Sequence, residues 1–178
     1  MKKIVLMGAF ALAAFSGMAQ KKTTTSAKVS FDATTPQDAF PKADNNTVVA
    51  MIDTKTGAVA FEAQMKSFNF SNPKMQEHFN SPRWLDSEQF PTTNFKGKIT
   101  NLGEVNFAKD GSYAVKVAGT LTLHGITKDL SAEGTVTVKG AAVSANAEFT
   151  FKLDEYNVGN AGGKVNNEPK ITVSAELQ

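Results

Sequence analysis

The chain contains no cysteine among its 178 residues. Disulfides, a thiol nucleophile and a thiolate zinc site are therefore all excluded. The fold has to rest on its core alone. About 155 residues suffice for that, because a domain of this size buries roughly 70% of its unfolded surface. Histidine is nearly as scarce. His78 and His124 are the only two, and they lack a metal-ligand spacing such as H-x-x-x-H. No apolar run is long enough to cross a bilayer, which takes about 20 residues.

The longest apolar run lies at the start. Lys2 and Lys3 are followed by the uncharged stretch Ile4–Phe15, and Gly17 and Ala19 give small residues before Gln20. This is the pattern of a secretory signal peptide over residues 1–19. It implies a periplasmic or secreted protein with no integral membrane span in the mature form. No cysteine follows, so a lipoprotein anchor is excluded. Loss of Lys2 and Lys3 from 19 basic residues leaves 17 against 17 acidic ones, a neutral mature chain. A nucleic-acid partner, which needs a concentrated basic face, is not indicated.

What is present is alternation. Gln20–Thr25 is polar and aperiodic and reads as a flexible lead-in. Over residues 26–178 the dominant signal is apolar residues at alternate positions, the mark of strands with one buried face, interrupted by a polar stretch with Pro36, Pro41, Asn45 and Asn46 that reads as an irregular connection. The first strand spans Ala27–Ala33. Val48–Asp53 and Val59–Met65 flank the turn Thr54–Gly57 as a hairpin. Phe68 and Phe70 continue the alternation, and Phe95–Ile99, Val105 and Phe107 follow the same rule. Asp110-Gly111 marks a second tight turn. Tyr113–Leu123, Leu130–Val138, Val143–Leu153 and Ile171–Leu177 complete the set. Ser71–Leu85 breaks it: Pro73 suits a first helical turn, and Met75, His78 and Phe79 share a helical face.

Eight or nine strands joined mostly by hairpins, with one inserted helix, indicate an all-β antiparallel sandwich or up-and-down barrel. Inward glycines at 97, 119 and 134 favour the barrel, because they permit the bending that closure requires. The chain has 13 phenylalanines. Phe31, Phe61, Phe95, Phe107, Phe149 and Phe151 fall on the inward face, mixed with Gly and Ala. Large rings beside small residues leave space lined by carbon, and such space stays dry and accepts apolar guests. The candidate ligand-binding residues are Phe31, Phe61, Met65, Phe95, Leu121, Phe149 and Phe151 in the interior. Met75, Phe79 and Trp84 are expected as a gate at its mouth. The same pattern also suits a filled core with the helix as a simple cover.

Two stretches carry a family likeness. Phe79–Phe95 (FNSPRWLDSEQFPTTNF) resembles a hallmark of YceI-like proteins, centred on Phe90-Pro91-Thr92 and Phe95. Tyr113–Leu130 (YAVKVAGTLTLHGITKDL) resembles the second hallmark, with Gly119, Leu121, Thr122, Gly125, Ile126, Thr127 and Lys128 matching. Ser26–Phe31 is similar to the family's first strand, and Asp154–Val158 to its acidic-aromatic step after the penultimate strand. The chain departs from the family at Thr25-Ser26, where many members have His-Ser, and at Gly140, where many have a longer Gly-Trp segment. The resemblance implies a lipocalin-like barrel of eight strands with a helix near one end. It implies an interior for a long isoprenoid or lipid-like chain, and no enzymatic residues.

Catalytic patterns are weak. Ser67, Ser81 and Ser112 stand in no nucleophile elbow. Gly159–Gly163 lacks the Lys-Ser/Thr of a phosphate loop. Asp154 and Glu155 are adjacent and point apart in a strand. The expectation is a carrier of an apolar small molecule, without cofactor or metal. Its rival is a non-catalytic envelope protein with a packed core, which would expose an apolar patch near Phe68, Phe70 and Trp84. A membrane barrel would need apolar outer positions, whereas Lys116, Thr120, Thr122, Glu133, Lys139 and Glu148 suit water. A homodimer is compatible with the sequence.

Overall fold

A computed structural model describes residues 20–159 and 161–178. The expected signal peptide lies outside the described residues. Nine strands are present there: β1 (Lys21–Asp32), β2 (Lys42–Asp53), β3 (Ala58–Gln64), β4 (Asn69–Phe70), β5 (Thr92–Ile99), β6 (Gly111–Leu123), β7 (Ile126–Lys139), β8 (Ala142–Thr150) and β9 (Lys170–Leu177). Helix α1 (Pro73–Asn80) separates β4 from β5. Each long strand pairs antiparallel with the next, and β9 pairs back on β1. Eight strands thus close into an up-and-down barrel, which removes most of the unpaired edge an open sheet would carry. The two-residue β4 pairs with the start of β2, where β3 has already left the wall.

Local chemistry explains the joints. His124 and Gly125 connect β6 to β7 with φ values of 50° and 73°. This is the two-residue primed turn whose twist matches a hairpin. Gly125 is required twice over, since a Cβ there would also lie 2.6 Å from the Phe90 ring. Gly97 and Gly119 sit opposite each other across β5 and β6. A Cβ on Gly119 would lie 2.3 Å from the Lys96 carbonyl oxygen. Backbones therefore approach here more closely than any side chain would allow, and the sheet can coil into a barrel. Where β2 loses β3 as neighbour, Asn45 fills the place of the ladder. It is fully buried, its Nδ2 donates to the Gln64 carbonyl at 3.1 Å, and its Oδ1 accepts from Thr47 N–H at 2.9 Å.

Helix α1 begins as the sequence requires. The Asn72 side chain accepts from Lys74 N–H, and Pro73 occupies the first turn, where no N–H is needed. The helix is short because Ser81-Pro82 ends it.

Three expectations are corrected. Gln20–Thr25 is not a lead-in: from Lys21 it is the first half of β1 and pairs with β2 from Lys21↔Asp53 to Thr24↔Ala50. Exposed and half-buried positions alternate there because only one side of this strand end is covered. Val105 and Phe107 belong to no strand. They follow a 3-10 turn at Leu102–Glu104 and pack against the core from a loop, so the link from β5 to β6 is longer than a hairpin turn. Leu153 lies beyond β8, in a 3-10 turn over Leu153–Tyr156.

Candidate functional site

The barrel interior is not filled. One cavity of about 120 Å3, measured as space open to the centre of a water molecule, lies toward the helix end. Its walls include Val29, Phe31, Ala63, Met65, Phe68, Phe79, Leu85, Leu121, Leu123, Phe151 and Ile171. A second lobe of about 80 Å3 lies toward the opposite end, walled by Ile52, Val59, Ile99, Val115, Leu130, Ala132, Val136 and Ala145. Phe61, Phe95, Phe149 and Val173 line both lobes. Three rings and one valine thus form a waist between two chambers along the barrel axis.

The origin of this space is in the sequence. Around the second lobe β7 and β8 present Ala132, Gly134, Ala145 and Ala147 inward, too small to reach the far wall. Around the first, the rings are large but anchored at the rim. Phe79 of α1 meets Phe31 at a centroid distance of 6.0 Å, Phe68 at 5.7 Å, Phe70 at 4.8 Å and Trp84 at 5.3 Å. This aromatic cluster closes the helix end. Carbon lines nearly all of the space, with Thr93 and Asn94 as polar exceptions in the first lobe and Thr135 and Asn146 in the second. A cavity of this character holds no water well, because water needs two to four polar partners. The buried Asn80 Oδ1 and Ser87 Oγ, which lack partners, lie outside the walls of both lobes.

Eight of the ten residues expected from sequence line the first lobe: Phe31, Phe61, Met65, Phe79, Phe95, Leu121, Phe149 and Phe151. Met75 and Trp84 do not. They face an outer groove together with Phe40, Lys74, His78, Arg83 and Lys164. Trp84 is held from behind the rim, edge-on to Phe31 at 6.2 Å, with its indole N–H donating to the Gly159 carbonyl at 2.6 Å. It supports the rim and is not a gate. A gate was expected because helical spacing groups Met75 with Phe79, but α1 turns only Phe79 fully inward. The second lobe was missed as a site. Its signal was the alternation of Val115, Val117, Leu130, Ala132 and Ala145, which reads equally well as packed core.

The exposed patch expected around Phe68, Phe70 and Trp84 is absent. Phe68 is buried, and Phe70 and Trp84 pack on the core. His124 is structural: its Nδ1–H donates to the Tyr156 carbonyl at 3.0 Å, and its ring meets Phe90 edge-on. Burial, with the charge of Glu155 adding to it, pushes the Tyr156 phenol above its ordinary range. Among the described residues, no three His, Asp or Glu side chains gather as a metal site, and no helix is long and apolar enough to cross a membrane.

The barrel has counterparts among solved structures. A polyisoprenoid binding domain from Saccharophagus degradans, implicated in plant cell wall breakdown, superposes with a TM-score of 0.73 at 12% identity, covering 89% of this chain and 98% of that one. A YceI protein of Campylobacter jejuni gives 0.60 at 14% identity, covering 99% and 97%. BcnA of Burkholderia cenocepacia gives 0.55 at 18% identity, covering 90% and 98%. No curated protein matches the chain. At these identities the likeness speaks for the fold. The sequence itself matches the YceI-like domain over residues 14–177, nearly its whole length, and so the chain belongs to the YceI-like family.

Proposed function

We propose that the protein is a carrier for a single apolar chain, isoprenoid or otherwise lipid-like, held lengthwise in the barrel. The observation that supports it most directly is the pair of carbon-lined lobes in line along the barrel, set apart only by side chains that line both, Phe61, Phe95, Phe149 and Val173. A compact ligand would use one lobe. A flexible chain uses both, and each CH₂ taken from water contributes about 0.8 kcal/mol, partly offset by the entropy of ordering it. The polyisoprenoid binding reported for the Saccharophagus degradans domain agrees with a ligand of this shape. The N-terminal segment fits a carrier that works in the periplasm or outside the cell after cleavage before Gln20. No residue of the interior is suited to catalysis, and the reading assigns none.

The test is mass spectrometry of organic extracts from the purified protein, with N-terminal sequencing of the exported form. A stoichiometric apolar compound supports the carrier. Clean extracts, together with failure to bind a dansyl-labelled farnesyl chain, would sink it.

A further inference from the structure

The wall of the barrel is not equally zipped. β6 and β7 pair without interruption from Gly111↔Val138 to Leu123↔Ile126. The ladder between β7 and β8 stops at Glu133↔Glu148, although β7 runs on to Ile126 and β8 to Thr150. Half of β7 therefore has no strand paired with it on the β8 side. In the alternation that starts from the Leu123–Ile126 pair, Thr127, Asp129 and Ser131 turn their main-chain N–H and C=O groups to that side. The opening has a frame. Its inner rung sets two glutamates directly opposite each other, an unfavourable pairing relieved by Lys170, which takes the Glu148 carboxylate at 2.8 Å. Its outer end is tied by the His124–Tyr156 hydrogen bond.

This window lies over the interior. Leu130 and Ala132 on one side wall the second lobe, Phe151 on the other walls the first, and Phe149 lines both. All four are partly exposed. The two barrel ends are closed differently. The Phe79 cluster covers one, and Ile52, Val136, Val138, Val143 and Leu177, all fully or nearly fully buried, fill the other. Opening a fully paired stretch of the wall, such as β6–β7 or β8–β9, breaks a row of ladder hydrogen bonds. Opening here parts side chains only.

We propose that the window between β7 and β8 is the port through which an apolar chain passes into the barrel. This rests on the carrier reading above. The chain would be threaded sideways, past Leu130 and Phe149, and reach both lobes from the waist.

The absence of cysteine makes the test clean. Ser131 and Thr150 are exposed and flank the window. A Ser131→Cys, Thr150→Cys variant is bridged with a bis-maleimide, and uptake of a dansyl-labelled farnesyl chain is followed by stopped-flow fluorescence. Each single variant capped by the same reagent controls for modification. A Glu133→Cys, Glu148→Cys bridge, placed where the strands are already paired, controls for stiffening. Circular dichroism verifies the fold of each. The port predicts at least tenfold slower uptake for the window bridge alone. Uptake at the unbridged rate, with binding at equilibrium intact, overturns the port and leaves the carrier standing. Equal slowing by the Glu133–Glu148 bridge also overturns it. Absence of binding by the unmodified protein removes both.

Discussion

Phe79 and Trp84 meet edge to face with ring centroids 5.3 Å apart, one turned into the barrel and the other holding it from outside. Their division of labour sets a difference in mutational cost. Phe79→Ala removes the centre of the aromatic cluster and is expected to destabilise the fold by about 3 kcal/mol, the low end for a buried phenylalanine, because one side of the ring already borders empty space. Equilibrium urea unfolding measures it. A loss below about 1 kcal/mol would mean that the helix end is not a packed lid.

The second lobe exists because residues such as Ala145 are small. Ala145→Phe is expected to fill it while leaving the first lobe open. A long isoprenoid probe would lose burial of roughly four CH₂ groups, about 3 kcal/mol or roughly 100-fold in affinity. A short apolar probe that fits the first lobe alone would bind unchanged. Titration with both probes decides it: equal losses would show that the two lobes are not used in series.

Gly119 has no room for even a methyl group. Gly119→Ala puts a Cβ against the Lys96 carbonyl and the Gly97 Cα. Backbone on both sides cannot yield as a side chain could, so a loss of about 3 kcal/mol is expected. Gly140→Ala is the comparison. Its Cβ meets nothing, and only the strain of a φ of 58° applies, about 1 kcal/mol. Thermal unfolding of the two variants gives the ranking.

Acid should weaken the fold through two aspartates. Asp32 is held below the ordinary carboxylate range chiefly by the Thr34 N–H, and Asp53 chiefly by the Thr56 N–H. A carboxyl whose folded pKa lies below its unfolded value adds stability above the unfolded value, near pH 4, and loses it as pH falls through the folded one. Midpoint temperatures measured from pH 6 to pH 2 should therefore fall less steeply for Asp32→Asn and Asp53→Asn than for the parent. Identical slopes would remove these groups from the account of acid lability.

The interior face was readable residue by residue, because side chains in a strand alternate and the apolar member of each pair must leave water. Phe61, Phe95, Phe149 and Leu121 were placed correctly on that ground. Val105 and Phe107 were misplaced because they keep the alternation while the chain between them and β6 turns irregularly, and a two-residue period says nothing about hydrogen-bond partners. Gln20–Thr25 was misread for the converse reason. Threonine-rich strand ends with one wet and one half-covered face carry no apolar signal, and their partner lies some thirty positions away in β2.

By itself the sequence determined that the fold is a cysteine-free β-barrel with ring-bearing walls, since period, turn residues and glycine placement act over a few neighbours and need no knowledge of the whole. The empty lobes, their shared waist and the unzipped stretch beside β8 were decided only in three dimensions. Volume is what remains after walls from distant strands have met, and no local pattern records how far short of one another they stop.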